Sequence, residues 1–449
     1  MRLLIGVLAL LMFVGTGCVL APRGTKQEQS KLTHAGTPFE PAVEKRTIPP
    51  VGEPATWKDV LARAFLTNGE LEAAYFEWKA ALARIPQVAN YPNTNLAPSF
   101  SYMFSGERMK NWNRTTVNIG FDPMENLAFP AKVAQAGKVA LADAQAAGER
   151  FRAAKFELQR KVLTSYLDLL LHDQQIRIQE DNVQLLKLLS DVAGDRVRGG
   201  ASQQDLLRAQ TQFRLAENQL QTLHAEHHGM IAMLNAMMGR ELEAKIVLPT
   251  TLPTTRPIPA DDATLIAAAV DRNPDLNRLA REVQGRKDAV ELARMAYIPD
   301  INPMAAFTGS ISQMAGAMIV IPTTIPEIRG KIDETRAMLR ASQAMLRQTR
   351  SDRAASFVAA LYTLRNAERQ ADVYERLILP RAQQVLSSAR QAYTTGSGSF
   401  MDLIESQRMV LDVRLMIVES RAEREKRLAE LEALAGVDVE TLGQQEGAR

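Results

Sequence analysis

The hydrophobic pattern of this chain changes period several times, and the whole series of changes occurs twice. Between Trp57 and Arg84 the apolar positions recur at helical spacing. The period then drops to two. Phe100, Tyr102 and Phe104 alternate with Ser99, Ser101, Met103 and Ser105, and after a polar loop Val117, Ile119 and Phe121 alternate with Asn118, Gly120 and Asp122. One apolar and one small or polar face predict two strands with lipid on one side and water on the other; a soluble hairpin packed on a core is the competing reading. Pro130 is well placed to start a helix, and the helical pattern behind it runs to about Arg198, which at the α-helical rise is roughly 100 Å. Val162, Leu169, Ile176 and Val183 recur every seven residues, the seam spacing of a coiled coil. Gly199-Gly200 ends that helix, and Leu206, Phe213 and Leu220 give a return helix the same spacing.

A second copy follows. Pro130 matches Pro326 and Tyr166 matches Tyr362, both at a shift of 196 positions. Gly199 matches Gly396, Asp205 matches Asp402, Leu206 matches Leu403 and Gly239 matches Gly436, at a shift of 197. The leading Asn68-Gly69-Glu70-Leu71 corresponds to Asn273-Pro274-Asp275-Leu276. The second strand pair is a weaker copy: Ala305, Phe307, Gly309 and Ile311, then the apolar run Ala317 to Ile321. Leu403, Val410 and Ile417 carry the second return seam. The repeats therefore span residues 57–240 and 260–437, with a Pro/Thr-rich linker at 241–259 and a tail at 438–449. The predicted fold class is mainly α with a small membrane β part: a duplicated unit of helix, two strands and a long antiparallel helical hairpin. Four strands cannot close a barrel, so a barrel needs several chains.

The N-terminus reads as a secretory signal over residues 1–17: a basic start at Met1-Arg2, an apolar stretch from Leu3 to Val14, and small residues before a cut. Cys18, the chain's one cysteine, stands at that junction. This resembles the bacterial lipoprotein signal, in which the thiol takes a lipid; the alternative is an ordinary signal peptide that contains a cysteine. Either reading takes the protein out of the cytoplasm without disulfides. Residues 18–56, with Pro41, Pro49, Pro50 and Pro54, are expected to form an extended tether. Charge is nearly balanced, 54 basic against 51 acidic residues, so no basic field exists to hold nucleic acid. Beyond residue 18 no apolar run is long enough for a spanning helix, which leaves a closed barrel as the route into a membrane.

The duplicated series resembles the TolC-type outer membrane efflux protein family: an N-P-x-L motif in a helix, a strand pair, a proline opening a long helix, and a G-x-x-x-x-x-D-L turn. Here that turn is Gly199 to Leu206 and Gly396 to Leu403, and Gly69 replaces the proline of the first N-P-x-L. The resemblance implies a homotrimer giving four strands per chain to a twelve-stranded β-barrel in the outer membrane, continued by a periplasmic α-helical barrel. It implies a passive exit duct of a tripartite efflux or type I secretion system, with a periplasmic adaptor and an inner-membrane transporter as partners and outer membrane lipid around the strands. It implies an acidic ring at the periplasmic aperture from Asp402 and Glu405, a tip-closing link between Asp205 and Tyr393, and adaptor contacts at Gly199, Gly200, Gly396 and Gly398. The arginine usual two residues after the second-turn glycine is Gly398 here. The alternative function is a lipid-anchored coiled-coil structural or adaptor protein without a pore.

Other signals carry less. His224, His227 and His228 cluster beside Glu226, and Met230, Met233, Met237 and Met238 follow. His224 and His228 have a metal-capable spacing, but a solvated turn and a packing stripe account for the cluster. Met304, Met314 and Met318 are read the same way. No phosphate loop, H-E-x-x-H motif or cysteine nucleophile is present, so no enzyme, cofactor or metal centre is expected.

Overall fold

The computed structural model describes residues 20–90, 96–104, 108–121, 128–199, 203–253, 255–258, 261–310 and 312–438. Cys18, Gly200 and Ile311 lie outside these residues. In chain order the helices and strands are α1 (Thr25–Gly36), α2 (Trp57–Thr67), α3 (Gly69–Val88), β1 (Leu96–Tyr102), β2 (Thr115–Phe121), α4 (Pro130–Arg198) and α5 (Gln203–Met237), then α6 (Asp262–Arg272), α7 (Pro274–Arg294), β3 (Asp300–Thr308), β4 (Ser312–Val320), α8 (Ile325–Val373), α9 (Leu379–Thr395) and α10 (Phe400–Ala435). The second series repeats the first.

The leading helix expected over Trp57–Arg84 is two helices. Thr56 and Asp59 form a capping box that starts α2. Asn68 ends it and restarts the chain, its Oδ1 accepting the Leu71 N–H at 3.0 Å. Asp261 caps α6 in the same way, through the Thr264 N–H, and Asn273 divides α6 from α7. The long helix α4 keeps the expected bounds, Pro130 to Arg198. Its counterpart is interrupted: α8 passes into a π-helical turn, Tyr374–Ile378, before α9. Pro380 supplies the reason, because it offers no N–H and its ring displaces the carbonyl of Arg376.

The chain forms two compact units. The first comprises Met1–Thr37, Ala74–Phe151 and Asp275–Thr349. It holds a four-stranded antiparallel sheet in the order β1-β2-β3-β4. An aromatic cluster fills its helical part: Phe151 lies 5.7 Å from Trp78 and 6.1 Å from Tyr75, centroid to centroid. Two glycines admit these rings. A Cβ on Gly148 would lie 2.9 Å from the Trp78 indole, and one on Gly36 would fall inside the Tyr75 phenol. The segment before residue 57, expected to be extended, therefore contains a docked helix, α1, with Leu32 buried. Pro22 precedes this helix and the other prolines lie beyond Gly36, so nothing in residues 25–36 opposes a helix. The sheet is tied to the start of α4, where Asp300 accepts from Lys132 Nζ at 2.7 Å and from the Phe129 N–H at 3.1 Å.

The second unit comprises Pro38–Ala73, Arg152–Pro274 and Arg350–Arg449. Along α4 the predicted seam is buried at Val162, Leu169 and Ile176. In α10 it is buried at Leu403, Val410 and Ile417. The first return helix differs: Leu206, Phe213 and Leu220 are half-buried, and between them the buried positions are Ala209 and Ala216, also seven apart. Small side chains let that helix approach closely. Tyr166 is buried and donates to the Ala55 carbonyl at 2.8 Å. Burial, with the Asp59 carboxylate adding to it, pushes the Tyr166 phenol up to about 12. The unfolded chain releases this proton at lower pH, so the stability it contributes is full below about pH 10 and is lost as pH rises toward 12. Tyr166→Phe is expected to lose about 1 kcal/mol at neutral pH and to flatten the fall in stability between pH 10 and 12 in denaturant titrations.

Candidate functional site

Two regions carry the residues singled out from sequence, one in each unit. In the sheet, register places Phe100 opposite Val117 and Tyr102 opposite Thr115. Val117 in turn faces Phe307, and Ile119 faces Ala305. Across the next pair Ala305 meets Ala315 and Ile301 meets Ile319. Side chains alternate between faces, so Phe100, Tyr102, Val117, Phe307, Ala305, Ile301, Ala315 and Ile319 share one largely apolar face across all four strands. Phe100 is 71% exposed on it, and Phe104, just past the end of β1, is 93% exposed. The opposite face carries Ser99, Ser101, Thr116, Asn118 and Thr308. Its side chains bond to one another: Thr116 and Thr308 hydroxyls meet at 3.0 Å, and Asn118 Nδ2 donates to Ser99 Oγ at 3.2 Å. The second strand pair is more regular than the sequence implied. Gly309 is not a strand position; with φ +51° it makes the turn, and Asn113 Oδ1 accepts from Ser310 N–H and Oγ to hold it.

The other region is the hairpin tips. At the first tip α4 ends with the Gly199 N–H donating to Asp195, and Asp205 lies half-buried in the first turn of α5. At the second, Gly396 takes φ +77°, and the Ser397 and Gly398 N–H groups both donate to the Ala392 carbonyl at 2.9 Å. Ser399 then caps α10: its Oγ accepts from Asp402 N, and the Asp402 carboxylate accepts from Ser399 N. Asp402 therefore serves as a helix-start acid and remains exposed, as does Glu405 one turn on. Tyr393 is buried against Phe400, with ring centroids 5.7 Å apart. Leu189, Ala193, Ala209 and Leu403 complete that cluster, so residues of both hairpins pack around Tyr393. A Cβ on Gly398 would sit 2.8 Å from the Ala392 Cβ, which leaves no room for an arginine at that position in this tip.

The histidines make a packing motif. His172 and His227 stack at 5.9 Å, and His172 Nε2 lies 2.7 Å from the Leu223 carbonyl. Burial pushes His227 down, with Asp173 opposing that shift. Among the described residues no group of three or more His, Cys, Asp or Glu is arranged to hold a metal ion.

Sequence reasoning missed Arg256. It is the one charge in the Pro/Thr-rich stretch Leu248–Pro259, and that isolation is the signal that could have found it. Its guanidinium reaches Glu425 at 3.1 Å and Glu432 at 3.0 Å and lies over the Trp57 ring. Burial opposes its charge, but the Glu432 and Glu425 carboxylates outweigh that and hold it above its ordinary value. The linker is thus clamped to α10.

Residues 265–437 match the sequence model of the family described as outer membrane efflux protein. It is a family of transport channels, not of enzymes. The fold of the chain as a whole is that of TolC-type channels. A membrane protein from Pseudomonas aeruginosa has a TM-score of 0.70 at 17% identity, over 85% of this chain and 90% of that one. The outer membrane protein VceC from Vibrio cholerae gives 0.70 at 16% identity, over 85% of this chain and 96% of that one. The MtrE outer membrane channel of Neisseria gonorrhoeae, in its open state, gives 0.68 at 16%, over 85% and 89%. Comparison with curated protein sequences finds no match. The efflux family match falls on the second repeat, and the structural likeness extends the same architecture to the first.

Proposed function

We propose that this protein is an outer membrane exit duct, assembled from three chains whose twelve strands close one barrel. One observation carries the reading: a four-stranded sheet that ends at β1 and β4 and exposes an apolar face. An open sheet in lipid leaves backbone groups unsatisfied at its edges, and pairing with sister chains removes those edges. No helix among the described residues is long and apolar enough to cross a membrane, which leaves the strands for that role.

In this reading the helical hairpins line a passage through the periplasm, and Cys18 adds a lipid anchor. Gly199, Gly200, Gly396 and Gly398 meet a periplasmic adaptor joined to an inner-membrane transporter of a tripartite or type I system. Tyr393 and Asp205 take part in closing the tips. Asp402 and Glu405 lie three residues apart on one helix face, and three chains bring six carboxylates to the aperture. Such a ring draws cations. Asp402→Ala with Glu405→Ala is expected to make the reconstituted pore less cation-selective. Unchanged reversal potentials in a salt gradient would remove the ring from the account. Cross-linking in detergent is expected to give trimers; a monomeric product would favour a lipid-anchored spacer.

A further inference from the structure

Three methionines sit on the wrong face of the β3–β4 hairpin for packing residues. Register pairs Met304 with Gly316, and Met314 and Met318 lie two residues to either side of that glycine on β4. All three therefore share the face of Thr116, Asn118 and Thr308, the polar side of the sheet. Gly316 leaves the space beneath Met304 open: a Cβ there would only just touch Met304 Cγ, at 3.8 Å. In register Met304 thus stands opposite the glycine, between Met314 and Met318. Diagonal neighbours across an antiparallel pair are ~7–8 Å apart, within reach of long side chains, and methionine has three rotatable bonds with which to converge. These side chains do not fill a core, since Met304 is 46% and Met314 62% exposed. Nor does the sheet require them: the same face of the first hairpin carries Ser99, Ser101, Thr116 and Asn118.

Thioethers are neutral, soft donors with little attraction for sodium, magnesium or zinc and a preference for Cu(I); Ag(I) shares that softness. We propose that Met304, Met314 and Met318 form a three-thioether site for a soft monovalent cation, Cu(I) or Ag(I), on the polar face of the sheet. Binding stands on the cluster alone. Only its meaning, a weak stopping point for soft cations along the water-lined wall, rests on the exit-duct reading. Because a thioether carries no proton to displace, binding does not weaken in acid as a histidine or cysteine site would.

The test uses the full chain in detergent, equilibrated with silver nitrate in chloride-free buffer at pH 5 and pH 7, with retained silver counted by mass spectrometry. Methionine-to-leucine changes nearly conserve volume. The M304L/M314L/M318L variant is expected to retain one silver ion fewer per chain than the parent at both pH values, with excess zinc making no difference. M338L/M345L, which alters two exposed methionines outside the sheet, is expected to leave the count unchanged. Equal silver in parent and triple variant, or a difference that disappears at pH 5, would overturn the site. If the triple variant misfolds, M304L alone is held to the same criterion. Metal-free conductance of the triple variant is expected to equal that of the parent, so failure of the metal site and failure of the duct are read separately.

Discussion

Arg256→Ala is expected to destabilise the folded chain by about 3–5 kcal/mol, the largest loss from any single side chain considered. Arg256 stands between Glu425 and Glu432, whose side chains are 9% and 1% exposed. Arg424 also pairs with Glu425 and reaches Glu368 at 3.1 Å, and its NH2 group donates to the Arg256 carbonyl. Gln159 donates to Glu432 and to Asp438. Removing Arg256 takes both charge-assisted hydrogen bonds from Glu432 and loosens the linker's hold on α10. Because the penalty comes from uncompensated buried charge rather than from the worth of the ion pairs, removing charge on both sides is expected to cost less. R256M/E425Q/E432Q together are expected to unfold at higher denaturant concentration than R256A alone. If R256A shifts the unfolding midpoint by less than the triple change does, the network is not a buried clamp.

Gly436→Ala is expected to destabilise by about 2–5 kcal/mol, from two sources that add. Gly436 ends α10 with φ +66°, a conformation that costs other L-residues about 1–2 kcal/mol. A Cβ there would also stand 2.5 Å from Pro274 Cδ and 3.0 Å from the Arg272 carbonyl, and forced overpacking costs roughly 1–3 kcal/mol. The close approach lets Asn273 Nδ2 donate to the Leu434 carbonyl at 2.5 Å. Gly239, its partner in the first repeat, has φ +58° and faces Thr67 at 3.0 Å. Gly239→Ala is therefore expected to cost less. Thermal unfolding of both variants tests the ordering, and a larger loss at Gly239 would contradict it.

These paired glycines also show what the sequence could convey. Matching Gly239 with Gly436 placed two helix ends that take the same left-handed conformation and meet the same neighbouring helix junction, Thr67 in one repeat and Arg272-Pro274 in the other. Pro130 and Gly199 bracketed a helix whose observed bounds are Pro130 and Arg198, because both punctuating residues act through local backbone chemistry. Breaks that depend on a side-chain cap were harder to read: Asn68 and Asn273 interrupt a helical pattern without disturbing its period. Burial was not legible from repetition. Tyr166 and Tyr362 correspond in sequence, yet Tyr166 is 1% exposed and Tyr362 is 73% exposed. At the tips the sequence located Tyr393 and the glycines; that Gly398 lies tight against Ala392 depends on the turn's geometry and could not be read from residue types. Alternation assigned the two faces of β1 and β2, but placing three methionines around one glycine needed the register of β3 against β4.

Single-channel recording in planar lipid bilayers tests the central claim most directly. Purified trimers added to the membrane are expected to produce discrete, cation-selective conductance steps, and charge-neutral variants of Asp402 and Glu405 are expected to keep the steps while losing selectivity. A lipid-embedded protein that is monomeric and gives no current would contradict the account.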